Sequence, residues 1–142
     1  MKIQNILATT GTRVVTIHPD RSLKDAVGLL AQHNIGALVV VIGLDEVVGI
    51  LSERDIVRAA VHNDNVLGLS VQQIMTKHVV TGSPNDDLKS VMNTMTEKQF
   101  RHLPIVEQGK LVGIVSIRDL VKAQVDQYQG EIETLETQIM EA

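Results

Sequence analysis

The chain has 142 residues, enough for one compact domain or two small ones sharing a core. A net charge of −4, a single Phe, a single Tyr and no Trp argue against a nucleic-acid partner, because no basic face dominates and no aromatic platform offers base stacking. With no cysteine, disulfides, thiolate zinc sites, iron–sulfur clusters and a cysteine nucleophile are excluded.

The opening, MKIQNILATTGTRVVT, holds an apolar run too short for a signal peptide. No stretch approaches the roughly 20 apolar residues that cross a bilayer. The expectation is a soluble, cytoplasmic protein with no membrane partner. A short β run, RVVTI, leads to a turn at Pro19. SLKDAVGLLAQH then reads as a helix with Leu23, Val27 and Leu30 on one face. Two apolar strands follow, ALVVVI and VVGILS, joined by GLDE, and a second helix begins after Ser52. HNDNVLGLSVQQIMTK is a linker with a short helix expected around Val71 to Met75.

The second half repeats the first. A shift of 65 places Val14, Val15, Thr16, Pro19, Leu23, Lys24 and Leu38 on Val79, Val80, Thr81, Pro84, Leu88, Lys89 and Leu103. After a one-residue difference in a turn the shift is 64. Val48, Gly49, Ile50, Ser52, Arg54, Asp55 and Val57 then fall on Val112, Gly113, Ile114, Ser116, Arg118, Asp119 and Val121. The second unit accordingly reads HVVTG, a helix DLKSVMNTMTEK with Leu88, Met92 and Met95 on one face, strands LPIVE and LVGIVS joined by QGK, and a helix after Ser116. The expected fold is α+β, two β-α-β-β-α units related by a pseudo-twofold, with a C-terminal extended helix. Continuous apolar strands fit sheets covered on both faces. The boundaries are residues 1–65, 66–123 and 124–142.

Ser52 with Asp55, and Ser116 with Asp119, have the spacing of a capping box, and capping alone can explain them. A second reading starts from Gly49 and Gly113, which weaken a strand unless a backbone or ligand approaches closely. Each strand opens into a helix N-terminus, where amides and the dipole favour an anion. There an Asp can accept hydrogen bonds from a ribose diol, and the adjacent Arg can meet phosphate.

GILSERD, GIVSIRD, IMTKHVVTGSP and FRHLPIVEQGKLVGIVS together resemble the CBS-domain family, and the resemblance to a tandem pair (a Bateman module) covers about residues 5 to 125. It implies regulatory binding of AMP, ADP, ATP, NAD(H) or S-adenosylmethionine in two clefts, each taking Ser and Asp from one repeat and base-lining residues from the other. Carried onto this chain, one cleft uses Ser116, Arg118 and Asp119 with Thr10, Val15, Ile35, Gly36 and Ala37. The other uses Ser52, Arg54 and Asp55 with Thr76, Val80, Phe100, Arg101 and His102. His102 has a structural reading, as a lone His beside an apolar strand, and a functional one, beside Arg101 above a phosphate. The remaining histidines are scattered without ligand spacing, so no metal site is expected.

No nucleophile elbow, Walker loop or HExxH is present, and Asp55 and Asp119 read as symmetry mates rather than an acid–base pair. The expectation is a standalone, non-enzymatic sensor acting on an unidentified protein target or as an assembly. A structural dimerisation module with non-binding clefts is the alternative. In the C-terminal tail Val121, Val125, Tyr128, Ile132, Leu135 and Ile139 recur at heptad spacing, with Val125, Ile132 and Ile139 at a and Tyr128 and Leu135 at d. β-Branched a with Leu at d leans towards a parallel homodimer. The competing reading is a helix folded back over its own domain, and Gly130 weakens the helix by about 1 kcal/mol relative to Ala.

Overall fold

A computed structural model describes residues 1–10 and 14–141. The elements in chain order are α1 (Ile3–Thr10), β1 (Thr16–Ile17), α2 (Leu23–His33), β2 (Ala37–Ile42), β3 (Glu46–Ser52), α3 (Glu53–His62), a 3-10 turn (Val66–Gly68), α4 (Val71–Ile74), α5 (Leu88–Lys98), β4 (His102–Glu107), β5 (Lys110–Ser116) and α6 (Ile117–Glu141). One sheet runs β1-β2-β3, with β1 parallel and β3 antiparallel to β2, and the second is the β4-β5 hairpin.

The duplication is visible in the backbone. α2 ends at Asn34 and α5 at Gln99, both left-handed with φ 52° and 58°. Each hairpin shifts register at the matching point, between Val40 and Val41 and between Ile105 and Val106. The second hairpin turns on Gln108 and Gly109, both at positive φ, the backbone of a tight turn that follows the twist of its strands.

Two predicted strands fall short. RVVTI reduces to the two residues of β1, and HVVTG contributes only a parallel bridge from Gly82 to Ile105. Val79 and Val80 instead wall the cavity described below. The helix faces are also rotated slightly from the expectation. Leu23, Ala26 and Leu30 are buried on α2 while Val27 is 36% exposed. On α5 the buried set is Leu88, Val91 and Met95, with Met92 at the core's edge.

The described residues form two cores, and the chain crosses between them. Ile17, Leu23, Ala26, Leu30, Leu38, Val40 and Leu51 form the first, completed by Val71 of α4. Leu88, Val91, Met95, Leu103, Ile105, Val115 and Leu120 form the second, completed by Ile3, Ile6 and Leu7 of α1. Thus α1 precedes the first unit in sequence but packs in the second unit's core. The docking is the same in both places. Val71 N donates to Arg21 O (2.8 Å) and Gln72 N to Pro19 O (2.9 Å), while Ile3 N donates to Asp86 O (2.9 Å) and Gln4 N to Pro84 O (2.9 Å).

This crossing explains the strand glycines. A Cβ on Gly49 would lie 2.5 Å from Met75 Sδ and 3.0 Å from Thr76 O, and one on Gly113 would lie 2.7 Å from Leu7 Cδ2. What approaches closely is the chain itself, in the segments that include α1 and follow α4. Thr76 also pairs with Ile50 through reciprocal backbone bonds of 2.9 and 3.0 Å.

α6 continues well past the second core, in which Leu120 is its one buried residue. Val121 to Ile139 of the heptad stripe stay exposed, from 45% at Val121 to 75% at Ile139. The helix therefore does not fold back over its own domain. Among the described residues no helix is long and apolar enough to cross a membrane.

Candidate functional site

At the C-terminal end of β3 the chain passes straight into α3, and Ser52 is the N-cap. Ser52 N donates to Asp55 Oδ2 at 2.9 Å, and Asp55 N donates to Ser52 Oγ at 3.2 Å. The second unit repeats this closely, with Ser116 N to Asp119 Oδ2 at 3.0 Å and Asp119 N to Ser116 Oγ at 3.1 Å. The capping reading is therefore realised at both positions. It occupies one carboxylate oxygen of each Asp, and among the described residues neither Oδ1 accepts a hydrogen bond.

Asp55 nonetheless borders a hollow. A cavity of about 760 Å³ opens between the units, within the size range of small-molecule sites. The first unit supplies Gly36, Ile50, Ser52, Glu53, Arg54, Asp55, Val57 and Arg58. From the linker and second unit come Thr76, His78, Val79, Val80 and the run Lys98–His102. All eight residues assigned to this cleft from sequence, Ser52, Arg54, Asp55, Thr76, Val80, Phe100, Arg101 and His102, line it. The sequence reading missed Glu53, Arg58, His78 and Lys98. Two of these carried a signal, since Arg58 lies one helical turn beyond Arg54 and Lys98 closes α5 just before Phe100.

The lining is cationic although the chain is acidic. Arg54, Arg58, Lys98 and Arg101 face the cavity with Glu53 and Asp55. Among the described residues none of the four is in an ion pair, the pairs present being His18–Asp20 and Arg21–Asp25. The amides at the start of α3 are already used in part, because Glu53 N donates to Gly36 O (2.9 Å) and Asp55 N to its cap. Side chains rather than the helix N-terminus are therefore the free source of positive charge.

His102 lines the cavity beside Gly36. A Cβ on Gly36 would lie 3.5 Å from its Cε1 and 3.4 Å from Glu53 Oε1. Burial holds His102 below its ordinary 6.5, a displacement opposed by the Glu53 and Asp119 carboxylates and reinforced by Arg101. The ring thus feels an acid from each unit.

The other set is distributed differently. Ser116 ends β5, and Arg118 and Asp119 begin α6. None of the three lines the 760 Å³ cavity, although Ser116 pairs with His102 across the β4-β5 hairpin and the Asp119 carboxylate acts on the His102 ring. Thr10 ends α1 and its hydroxyl donates to Ile6 O at 2.9 Å. Val15 and Ile35 pack at the edge of the first core and Ala37 is buried. Gly36, grouped with this set by sequence, lines the cavity of the first. The segment joining Thr10 to Val15 lies largely outside the described residues.

A duplicated α+β unit, with a cavity walled by both copies and a capping-box carboxylate in its lining, defines a paired-repeat module. The family model for the CBS domain matches residues 6–62 and 71–126, and the chain belongs to the CBS-domain family. It is 34% identical over 123 residues to the CBS domain-containing protein YhcV of Bacillus subtilis, covering 87% of each chain. Among solved structures, a CBS-domain containing protein from Agrobacterium tumefaciens is similar with a TM-score of 0.84 and 42% identity, over 87% of this chain and 99% of that one. The CBS domain pair of protein MJ0100, solved in complex with 5′-methylthioadenosine and S-adenosyl-L-methionine, has a TM-score of 0.80 at 26% identity, covering 89% and 98%.

Proposed function

We propose that this chain is a non-enzymatic, cytoplasmic regulatory module that binds an adenosine-containing ligand between its repeats and passes the ligand state to a protein target or through a homodimer. The observation that carries the reading is the meeting of Asp55 with four unpaired cations in one cavity. The free oxygen of Asp55 suits a ribose diol, and Arg54, Arg58, Lys98 and Arg101 suit phosphates. Val80 and Phe100 give an apolar wall for a base. The MJ0100 complex, with its two adenosine derivatives, supports the adenosine part.

The cationic lining favours AMP, ADP, ATP or NAD(H) over S-adenosylmethionine, whose sulfonium carries positive charge. Binding shifts the module's geometry only by the difference in affinity for its two states. Ser116, Arg118 and Asp119, with Thr10, Val15, Ile35, Gly36 and Ala37, are proposed as a second, less charged cleft. A thermal-shift panel of the four nucleotides and S-adenosylmethionine tests the reading. At 100-fold over its dissociation constant a true ligand adds about 2.7 kcal/mol. The second reading, a dimerisation module whose clefts bind nothing, draws on the fact that both Ser–Asp pairs are already satisfied as caps. A panel in which no compound moves the melt establishes it.

A further inference from the structure

α6 carries an apolar stripe that stays exposed among the described residues. Val121, Val125, Tyr128, Ile132, Leu135 and Ile139 are 45, 47, 46, 54, 58 and 75% exposed. Beyond Gln127 every described residue of the helix is exposed. Gly130, Thr134 and Thr137 are weak helix formers, and the two threonines bond back to carbonyls one turn earlier, at 2.9 Å each. These three residues weaken a segment otherwise rich in Glu and Gln, and because most helical stability in proteins comes from packing an apolar face, the exposed stripe calls for a partner.

We propose that the stripe docks antiparallel against α6 of a second copy of this chain. The proposal rests on the homodimer reading and is independent of what the cleft binds. Chemistry at a and d alone leans parallel; the flanking charges decide the other way. In a parallel, in-register pair Glu131 at g faces Glu136 of the partner subunit at e, twice, and Lys122 meets no acid. In the antiparallel register centred on Gly130, all six stripe residues are still seated. Val121 meets Ile139 of the partner subunit, Val125 meets Leu135 of the partner subunit, and Tyr128 meets Ile132 of the partner subunit, each pairing occurring twice. On the flanks Lys122 faces Glu136 of the partner subunit in two symmetric ion pairs, with one contact between the two Glu131 side chains near the axis. Gly130 falls on the outer face, where an added Cβ would meet nothing within 4 Å. Two attractions and one repulsion thus replace two repulsions.

Charge exchange in the full chain, followed by sedimentation equilibrium at low salt, separates the arrangements. Glu136→Lys is expected to weaken the dimer by roughly tenfold, by setting Lys122 against a lysine on both sides. Lys122→Glu is expected to do the same, and the double exchange to restore the dimer. A dimer tightened by Glu136→Lys overturns the antiparallel arrangement, because that change relieves a parallel pair. A dimer untouched by Ile132→Glu removes the stripe as the interface while keeping a homodimer, and a monomer at every concentration removes both. The chain's lack of cysteine gives an independent readout. Mixed Val125→Cys and Leu135→Cys chains should form the hetero-disulfide in preference to either homo-disulfide; the reverse preference overturns the proposal.

Discussion

Asp55 accepts a hydrogen bond from the backbone of Ser52 at 2.9 Å and still borders the cavity between the repeats. One side chain thus has both a folding role and a proposed binding role, and substitution can separate them. Asp55→Asn keeps an oxygen able to accept from Ser52 N, so stability should fall by no more than about 1 kcal/mol. Loss of the charge from a ribose-binding group should weaken nucleotide affinity by about 10- to 100-fold, since charged hydrogen bonds contribute ~1.5–3 kcal/mol. Calorimetric titration beside thermal melting reads both quantities. An unchanged affinity would leave Asp55 as a cap alone.

The cavity cations predict a charge dependence. Arg101→Ala or Arg58→Ala should weaken ADP or ATP more than adenosine, by about tenfold per lost charge-assisted contact. Raising the salt should narrow the difference. Equal losses for adenosine and ATP in the titration would place these arginines away from the phosphates.

His102 gives a pH dependence whose sign follows from its depressed value. The unfolded chain takes up a proton near the ordinary 6.5, whereas the folded chain does so only at lower pH. Stability is therefore greatest above that range and declines as pH falls towards the folded value. His102→Gln should flatten that decline in urea unfolding followed between about pH 7.5 and 5. A bound phosphate reverses the balance by favouring the charged ring, so nucleotide affinity should rise as pH falls across the same interval. A rise that persists in His102→Gln would assign the effect to another group.

The crossing of the chain makes the two strand glycines unequal. Gly49→Ala meets a backbone carbonyl as well as a flexible methionine, whereas Gly113→Ala meets only the end of Leu7. Both overpack, and Gly49→Ala should lie near the upper end of about 1–3 kcal/mol, with Gly113→Ala near the lower. Ile6→Ala should cost about 2–5 kcal/mol, the value for a core residue, although it stands six positions from the start of the chain. Denaturant midpoints of the three variants check this; a small loss for Ile6→Ala would detach α1 from the second core.

Most of the fold was legible because its periodicities are strong. ALVVVI matches β2 residue for residue, and α2, α5 and the other three long strands agree to within one residue. What escaped was set by contacts distant in sequence. α1 is eight residues long and amphipathic over barely two turns, and its likeness to VQQIMTK becomes meaningful only once both segments are seen docked alike. Ala26 and Val27 are equally good candidates for a helix face. The choice of Ala26 follows from what lies over α2, including the 3-10 turn at Val66–Gly68. The glycines were correctly read as sites of close approach, but a sequence cannot say whether a ligand or the chain itself comes near. Of the two predicted clefts, the repeat and the family resemblance named eight residues that line the one cavity described, with Gly36 joining them from the other set, while the charge on Arg58 and Lys98 entered only with the geometry.

The exchanged helices have a consequence for inheritance and repair. A peptide ending in the loop at residues 63–65 would carry α1 without the core it closes, and the remainder would carry α4 in the same predicament. Neither half completes its own core. Each has surrendered its lid to the other, so a nicked chain should hold together as a tight complex of fragments and come apart only when both halves unfold.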